Sequence, residues 1–484
     1  MVWQGNYTKL YIGGAWARPS SDATFTVTSP YTEAAIAEVP EVTTADVDAA
    51  VSAARTAFDG GDWPRTSLTE RIEIVRRLRQ ALDEDRERVA WLITEEMGCP
   101  ISISHQTQAN VPVLIADALT DLAATYPFQS RRRSATGNAV VLRQPVGVVA
   151  AIVPWNTPLS TALLKLIPAL LSGCTVVLKP ARETPLDGYL LADMLGSIGL
   201  PAGVVSILAA DRDVSEYLAG HQGIDKVAFT GSTAAGRRVA SMCGARLKRV
   251  TLELGGKSAA LVLDDADLDM AVESLRLGSF RNSGQICSLK TRVLVSANRH
   301  EEFLDRLAAM VSSMKVGDPG DPETEIGPLV SWRQRERVEG YIQVGVAEGA
   351  RILLGGKRPD RQQRGWFVEP TVFWGVKPGM TIAREEIFGP VLSVMAYQDE
   401  DHAVALANDS AYGLNGSIFT GDVDRGLALA RRLRTGTVEV NGNPVGFSAP
   451  IGGFKDSGIG REAGMEAFDA YTELQSIGLP REYV

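Results

Sequence analysis

Between residues 146 and 242 the chain alternates β-branched apolar runs with helical patterns, and this constrains its fold more than any other feature. The run "VGVVAAIV" at 146–153 precedes an apolar helical stretch near 159–171. "TVVLKP" at 175–180 precedes another near 185–198, and "VVSIL" at 204–208 a third near 213–219. "DKVAFTGSTAAGRRVASM" then reads as strand, glycine turn and helix. Strands that are apolar throughout have both faces covered, which predicts a parallel sheet with helices on each side. After Gly256 the pattern restarts with "SAALVL", a helix near 267–281 and the strand "TRVLVSA", a second α/β unit. Nearer the start, "TTADVDAAVSAARTAF" places Val47, Ala50, Val51, Ala54 and Phe58 at helical spacing, with Thr43 and Asp46 suited to a capping box. The segments 125–145 and 470–484 fit neither unit. Their alternation, as in "NAVVLRQ", predicts an extended hairpin or an added edge strand.

At 484 residues the chain is long for one hydrophobic core, so two or three domains are expected. A net charge of −9 argues against nucleic-acid and anionic-membrane binding, both of which need a cationic face. The one basic cluster, Arg131-Arg132-Arg133, reads as a solvated turn or a subunit contact. No uncharged apolar run approaches the roughly 18–20 residues that span a bilayer. The opening "MVWQGNYTKLYIGG" lacks the basic-then-apolar layout of a secretory signal. Four cysteines without a CxxC pair, and four scattered histidines, suggest neither a disulfide framework nor a zinc site. The expectation is a cytoplasmic, metal-free protein.

Three stretches carry chemistry. "LELGGKS", Leu252 to Ser258, ends like a P-loop, but the required first glycine is replaced by Thr251, so the backbone cannot curl around a triphosphate. "FTGSTAAGRR" offers Gly231 in a strand-to-helix turn and Ser232 beside it, where free N–H groups and a helix dipole suit an anion. The alternative is an ordinary connection, because no GxGxxG fingerprint occurs in the chain. "NSGQICS" puts Cys287 after a glycine-bearing loop. A thiolate is strongly nucleophilic but scarce at the ordinary thiol pKa, so a catalytic cysteine needs a base or donors. No histidine lies nearby. Glu253, between apolar residues, is the acidic candidate, because partial burial raises a carboxyl toward the general-base range. The plain alternatives are a buried structural thiol and a solvated strand-end carboxylate. Cys174 and Cys243 read as small buried hydrophobes, and Cys99 as a helix-end residue.

The motifs occur in one order: "PWN" at 154–156, "LKP" at 178–180, "FTGSTAAG" at 229–236, "LELGGKS" at 252–258, "GQICS" at 284–288 and "EEIFGPV" at 385–391. "YGLNGSIFT" at 412–420 and "GGFKDSGIGRE" at 452–462 complete the set. Together they resemble the NAD(P)-dependent aldehyde dehydrogenase superfamily across nearly the whole chain. The resemblance implies an α/β fold with a Rossmann-type cofactor domain (1–124 and 146–255), an α/β catalytic domain (256–455) and a small two-segment oligomerisation element (125–145 and 470–484). It also implies a homodimer or homotetramer acting on a small-molecule aldehyde. Cys287 would be the nucleophile, Asn156 an oxyanion donor with the Cys287 N–H, and Glu253 the base that activates water. Lys165 would tune local charge. Pro154, Trp155, Leu254 and Gly255 would border the cofactor. Lys179 would meet the adenine ribose, Gly231 and Ser232 the pyrophosphate, and Glu386 and Phe388 the nicotinamide ribose and ring.

The sequence also departs from its relatives. Arg182 stands where many NAD-preferring relatives carry a ribose-binding glutamate, with Glu183 next to it. An arginine could accept a 2′-phosphate, or point to solvent while Glu183 takes over. The expected cofactor is NAD, with NADP the alternative. Thr157 and Leu164 replace aromatic residues common in relatives, and with Ile286, Ser288 and Phe447 they predict a wide substrate channel. Two rival readings are a CoA-acylating semialdehyde dehydrogenase, whose relatives generally lack the Glu253 base, and a catalytically silent structural relative.

Overall fold

The computed structural model describes residues 7–480, so the ends of the segments beginning at residue 1 and finishing at residue 484 lie outside the described residues. An eight-stranded sheet runs in the order Ala15–Ala17, Leu10–Ile12, Val205–Ile207, Thr175–Lys179, Val148–Ile152, Lys226–Thr230, Arg249–Glu253, Gly458–Ile459. Its five central strands are parallel. Alternate residues of one strand face opposite cores. Val149 and Ala151 pack with Leu163, Leu166 and Leu190 on one face. Val148, Ala150 and Ile152 pack with Val47, Leu218 and Val239 on the other. This is why the strands are apolar throughout. The helix Thr44–Arg55 begins where expected: Thr43 caps it, and Asp46 accepts the Thr43 N–H at 2.9 Å.

Along this sheet the chain moves outward from Val148–Ile152 to Val205–Ile207, then returns to place Lys226–Thr230 on the opposite side. The strand order therefore reverses between Val148–Ile152 and Lys226–Thr230. In open α/β sheets such a point leaves a crevice beyond the carboxyl ends of the strands.

The second sheet has seven strands in the order Arg351–Leu354, Thr371–Trp374, Val391–Tyr397, Lys290–Ser296, Ser258–Val262, Gly416–Phe419, Glu439–Val440. Only its edge strand Arg351–Leu354 pairs antiparallel. It too is buried on both faces. A third sheet pairs Thr472–Leu479 with Gly137–Pro145 and the latter with Gln129–Ser134, all antiparallel. The hairpin expected at 125–145 is present. Arg131, Arg132 and Arg133 are exposed on its outer strand rather than in a turn, a correction that follows from their pairing with Val140, Ala139 and Asn138. Gly458–Ile459 lies beyond the expected catalytic segment and pairs back onto Leu252 and Glu253. Among the described residues no helix is long and apolar enough to cross a membrane, and no group of three or more His, Cys, Asp or Glu is placed to hold a metal ion.

Candidate active site

The strands Val148–Ile152 and Lys226–Thr230 run out into Pro154-Trp155-Asn156 and Gly231-Ser232, and these residues line one cavity of about 220 Å³ at the sheet's reversal point. Leu254 and Gly255 reach it from the end of Arg249–Glu253. The second sheet meets it from the other direction, with Cys287 just before Lys290–Ser296 and Glu386 and Phe388 just before Val391–Tyr397. The first sheet thus presents carboxyl ends and the second presents amino ends. Ten residues expected at the site converge here: Pro154, Trp155, Asn156, Gly231, Ser232, Leu254, Gly255, Cys287, Glu386 and Phe388.

A tight loop holds Cys287 in place. Asn282, Ser283 and Gly284 take successive left-handed conformations, with φ of 52°, 55° and 77°. The two non-glycine residues are locked by their side chains: Asn282 Nδ2 donates to the Asn156 carbonyl at 3.1 Å, and Ser283 Oγ to the Gly327 carbonyl at 2.9 Å. The backbone N–H groups of Cys287 and Ser288 face the sulfur and favour its thiolate. Burial opposes them, joined by the Glu386 and Glu253 charges, and the thiol is pushed up to about 12. At neutral pH the resting sulfur is therefore protonated and needs a base or a cation before it can attack. Asn156 is buried, its Nδ2 donating to the Gln285 carbonyl at 2.8 Å. An amide nitrogen has two protons, so one is left for an oxygen in the cavity.

Glu253 ends its strand and is buried, but its side chain does not line the cavity. Its Oε1 has no hydrogen-bond partner and sits close to Gly452. Burial first, and the neighbouring Glu462 charge second, hold its carboxyl well above the usual range, while Lys165 and Arg461 oppose them. Lys165 is fully buried, ion-paired with Glu462, and donates to Thr230 Oγ1 at 2.6 Å. It is thus part of a buried charge cluster behind the cavity.

Glu386 Oε1 accepts the Gly256 N–H at 3.0 Å, which ties the loop between the two sheets to the far wall. Phe388 has a left-handed φ of 63° and meets Trp155 edge to face at 5.4 Å. The helix Trp332–Ala347 fixes this strained segment through two further lining residues. Gln334 Nε2 donates to the Phe388 carbonyl at 2.6 Å, and Arg337 donates to the Glu386 carbonyl at 2.7 Å. Sequence reasoning missed Gln334, Arg337 and Thr230. Their only signal was the three-residue spacing of the first two, which puts them on one helix face.

The remaining candidates are more dispersed. Lys179 is buried at its strand end and its ammonium is lowered to about 8, by burial against the pull of Glu183 and Asp211. Arg182 is exposed, pairs with Glu41 at 2.8 Å and lies over the Phe25 ring at 4.4 Å. Glu183 beside it is exposed as well. Thr157 precedes the helix Pro158–Ser172 and shares a hydrogen bond with Thr161 at 3.0 Å. Leu164 and Phe447 pack against the core of the first sheet. Ile286 and Ser288 flank Cys287, half-buried.

The model of the aldehyde dehydrogenase family matches residues 16–477. The chain is 43% identical to geranial dehydrogenase of Castellaniella defragrans, over 98% of this chain and 99% of that one. It is 41% identical to 3-succinoylsemialdehyde-pyridine dehydrogenase of a Pseudomonas species, over 98% of each. The crystal structure of Mycobacterium tuberculosis aldehyde dehydrogenase complexed with NAD+ superposes with a TM-score of 0.98 at 43% identity, over 99% of each chain.

Proposed function

The chain belongs to the aldehyde dehydrogenase family, and we propose that it oxidises an aldehyde to the carboxylic acid with NAD, through a covalent intermediate on Cys287. The residues present suit the dinucleotide. Gly231 and Ser232 lead from the cavity into the helix Thr233–Gly244; the Gly231 N–H donates to the Glu253 carbonyl at 3.0 Å, so it is the first turn of the helix and its positive dipole end that suit a pyrophosphate. Glu386 offers a carboxylate to ribose hydroxyls, and Trp155 and Phe388 form an apolar wall for a ring. Arg182 is paired with Glu41, whose negative charge opposes a 2′-phosphate there, which favours NAD over NADP. When bound, NAD supplies the hydride acceptor.

The chain's own residues supply the rest. The Cys287 thiol gives up its proton to cavity water as Sγ attacks the carbonyl carbon, and the oxygen takes up negative charge opposite the Asn156 amide and the Cys287 N–H. The oxyanion re-forms the carbonyl as the C–H pair departs as hydride, leaving a thioester on the sulfur. Glu253 takes a proton from water, whose oxygen attacks the thioester, and the sulfur leaves with its electron pair as the acid is released. The presence of this carboxylate favours hydrolysis over transfer to CoA.

The observation that carries this reading is Cys287 and Asn156 on one cavity wall at the sheet's reversal point. The test is an aldehyde panel followed by cofactor reduction. Cys287→Ala loses oxidation, whereas Glu253→Gln gives one fast turnover and then a slow steady state. Undiminished turnover without the thiol would refute it.

We assign the first sheet to cofactor binding, the second to catalysis and the third to assembly. Leu474 and Ile477 stand exposed on Thr472–Leu479, apolar surface suited to a second copy of the chain. Light scattering reads the expected dimer or tetramer. The cytoplasm is the fitting compartment, since it keeps the Cys287 thiol reduced. Thr157, Leu164, Ile286, Ser288 and Phe447 are assigned to a channel that admits bulky or long aldehydes better than acetaldehyde.

A further inference from the structure

A second cavity, of about 750 Å³, borders the nucleophile loop and shares no lining residue with the first. Ile103, Gln106, Arg281, Ser288, Glu439 and Pro444 are among its walls. Ser288 follows Cys287 directly, so the two spaces flank one loop.

The charges in this cavity do not balance. Arg276 pairs with Glu273 and Glu325, both at 2.9 Å. Lys290 pairs with Glu439 at 2.6 Å, and Asn415 donates to the same carboxylate at 2.9 Å. Arg281 is left over. No hydrogen bond or ion pair joins its guanidinium to another described residue, and its Nε is buried without a partner. Burial disfavours the charge, while Glu439 and the Cys99 and Cys287 sulfurs lie within electrostatic reach. A partly buried guanidinium with no partner is costly, and its planar fork, on the wall of the cavity, matches a carboxylate with two parallel hydrogen bonds. The cost is removed when such a ligand fills the cavity.

We propose that this second cavity receives the body of the aldehyde and that Arg281 recognises a carboxylate at its far end, so that the preferred substrates are semialdehydes of dicarboxylic acids. The inference rests on the reading of Cys287 as nucleophile. It adds a specificity-determining residue outside the cofactor cavity, at the end of a channel whose assigned residues reach this cavity through Ser288.

The test compares succinic and glutaric semialdehydes and their longer homologues with n-alkanals of equal length, for wild type, Arg281→Met and Arg281→Lys. In wild type, kcat/KM favours the carboxylates at the chain length that reaches Arg281. In Arg281→Met the ratio of carboxylate to alkanal kcat/KM falls about 10- to 100-fold, chiefly through KM, and Arg281→Lys recovers part of it. If Arg281→Met fails to fold, the wild type still decides: glutarate or a longer unreactive dicarboxylate protects the Cys287 thiol from alkylation, and the matching diester does not. An unchanged ratio, a wild type that favours alkanals, or equal protection by acid and diester overturns the proposal while aldehyde oxidation stands. Failure to oxidise either series overturns the parent reading and this one with it.

Discussion

Gly284 offers a sharp test of how the nucleophile is held. It has a φ of 77°, and a Cβ built there lies 2.6 Å from the Pro390 nitrogen and closer still to the Gly389 carbonyl. Both obstacles are backbone, so no side chain can turn aside. An L-residue in this conformation costs about 1–2 kcal/mol, and relieving the overlap about 1–3 more. Gly284→Ala is therefore expected to destabilise the protein by about 2–5 kcal/mol. The larger consequence is kinetic, because the loop can relieve the clash only by moving, and Cys287 lies three residues on. A displacement of about 1 Å costs on the order of 100-fold in rate. The assay is the pre-steady-state burst of reduced cofactor, read beside denaturant unfolding. Gly340→Ala is the control, since nothing lies within 4 Å of a Cβ there and the site is helical. It is expected to stabilise by about 0.5–1 kcal/mol and leave the burst alone. A wild-type burst in Gly284→Ala would show that the loop does not depend on this approach.

Two other predictions concern groups remote from the sulfur. Glu41→Ala releases the Arg182 guanidinium and should raise the ratio of NADP to NAD kcat/KM; an unchanged ratio would mean that Arg182 cannot reach the ribose. Burial raises the Asp187 carboxyl to about 7, beside the buried Glu96, which accepts the Leu186 and Asp187 N–H groups. The folded protein thus binds a proton that the unfolded chain has released, so this stability is present at acid pH and lost as pH rises through about 7. Asp187→Asn should unfold at a higher temperature than wild type above pH 7, the gap closing toward about pH 4; a gap that ignores pH would refute the assignment.

The fold was legible where local pattern and burial agree. Apolar strands and capped helices such as Thr44–Arg55 declare themselves because each residue's own environment decides its type. The short edge strands Leu10–Ile12, Ala15–Ala17 and Gly458–Ile459 did not, since pairing with neighbours rather than their own pattern makes them extended. At the site, motif residues converged, but their electrostatics could not be read. Arg182 is paired with Glu41, far away in sequence, and Glu253 is perturbed by burial and then by Glu462, on a loop that returns to the strand through Gly458–Ile459. Gln334 and Arg337 hold carbonyl groups, which leave no mark in a sequence.

That cluster sets the pH dependence of hydrolysis. Only ionised Glu253 can take a proton from water, and its carboxyl is held well above the usual range, so deacylation should strengthen as pH rises past ordinary carboxylate values. The Lys165–Glu462 pair allows the cause to be tested in both directions. Glu462→Gln removes a like charge and leaves the Lys165 ammonium unopposed; both changes favour ionised Glu253, so the acid limb of the steady-state rate should move to lower pH. Lys165→Met leaves the Glu462 anion facing Glu253 without its counter-ion, so the limb should move to higher pH. Breaking a buried pair costs about 3–5 kcal/mol in either case, so both variants are compared well below their unfolding temperatures. Mere structural damage would lower both amplitudes or shift both limbs the same way. Opposite displacements require that charge acts through Glu253, and Glu253→Gln should abolish both.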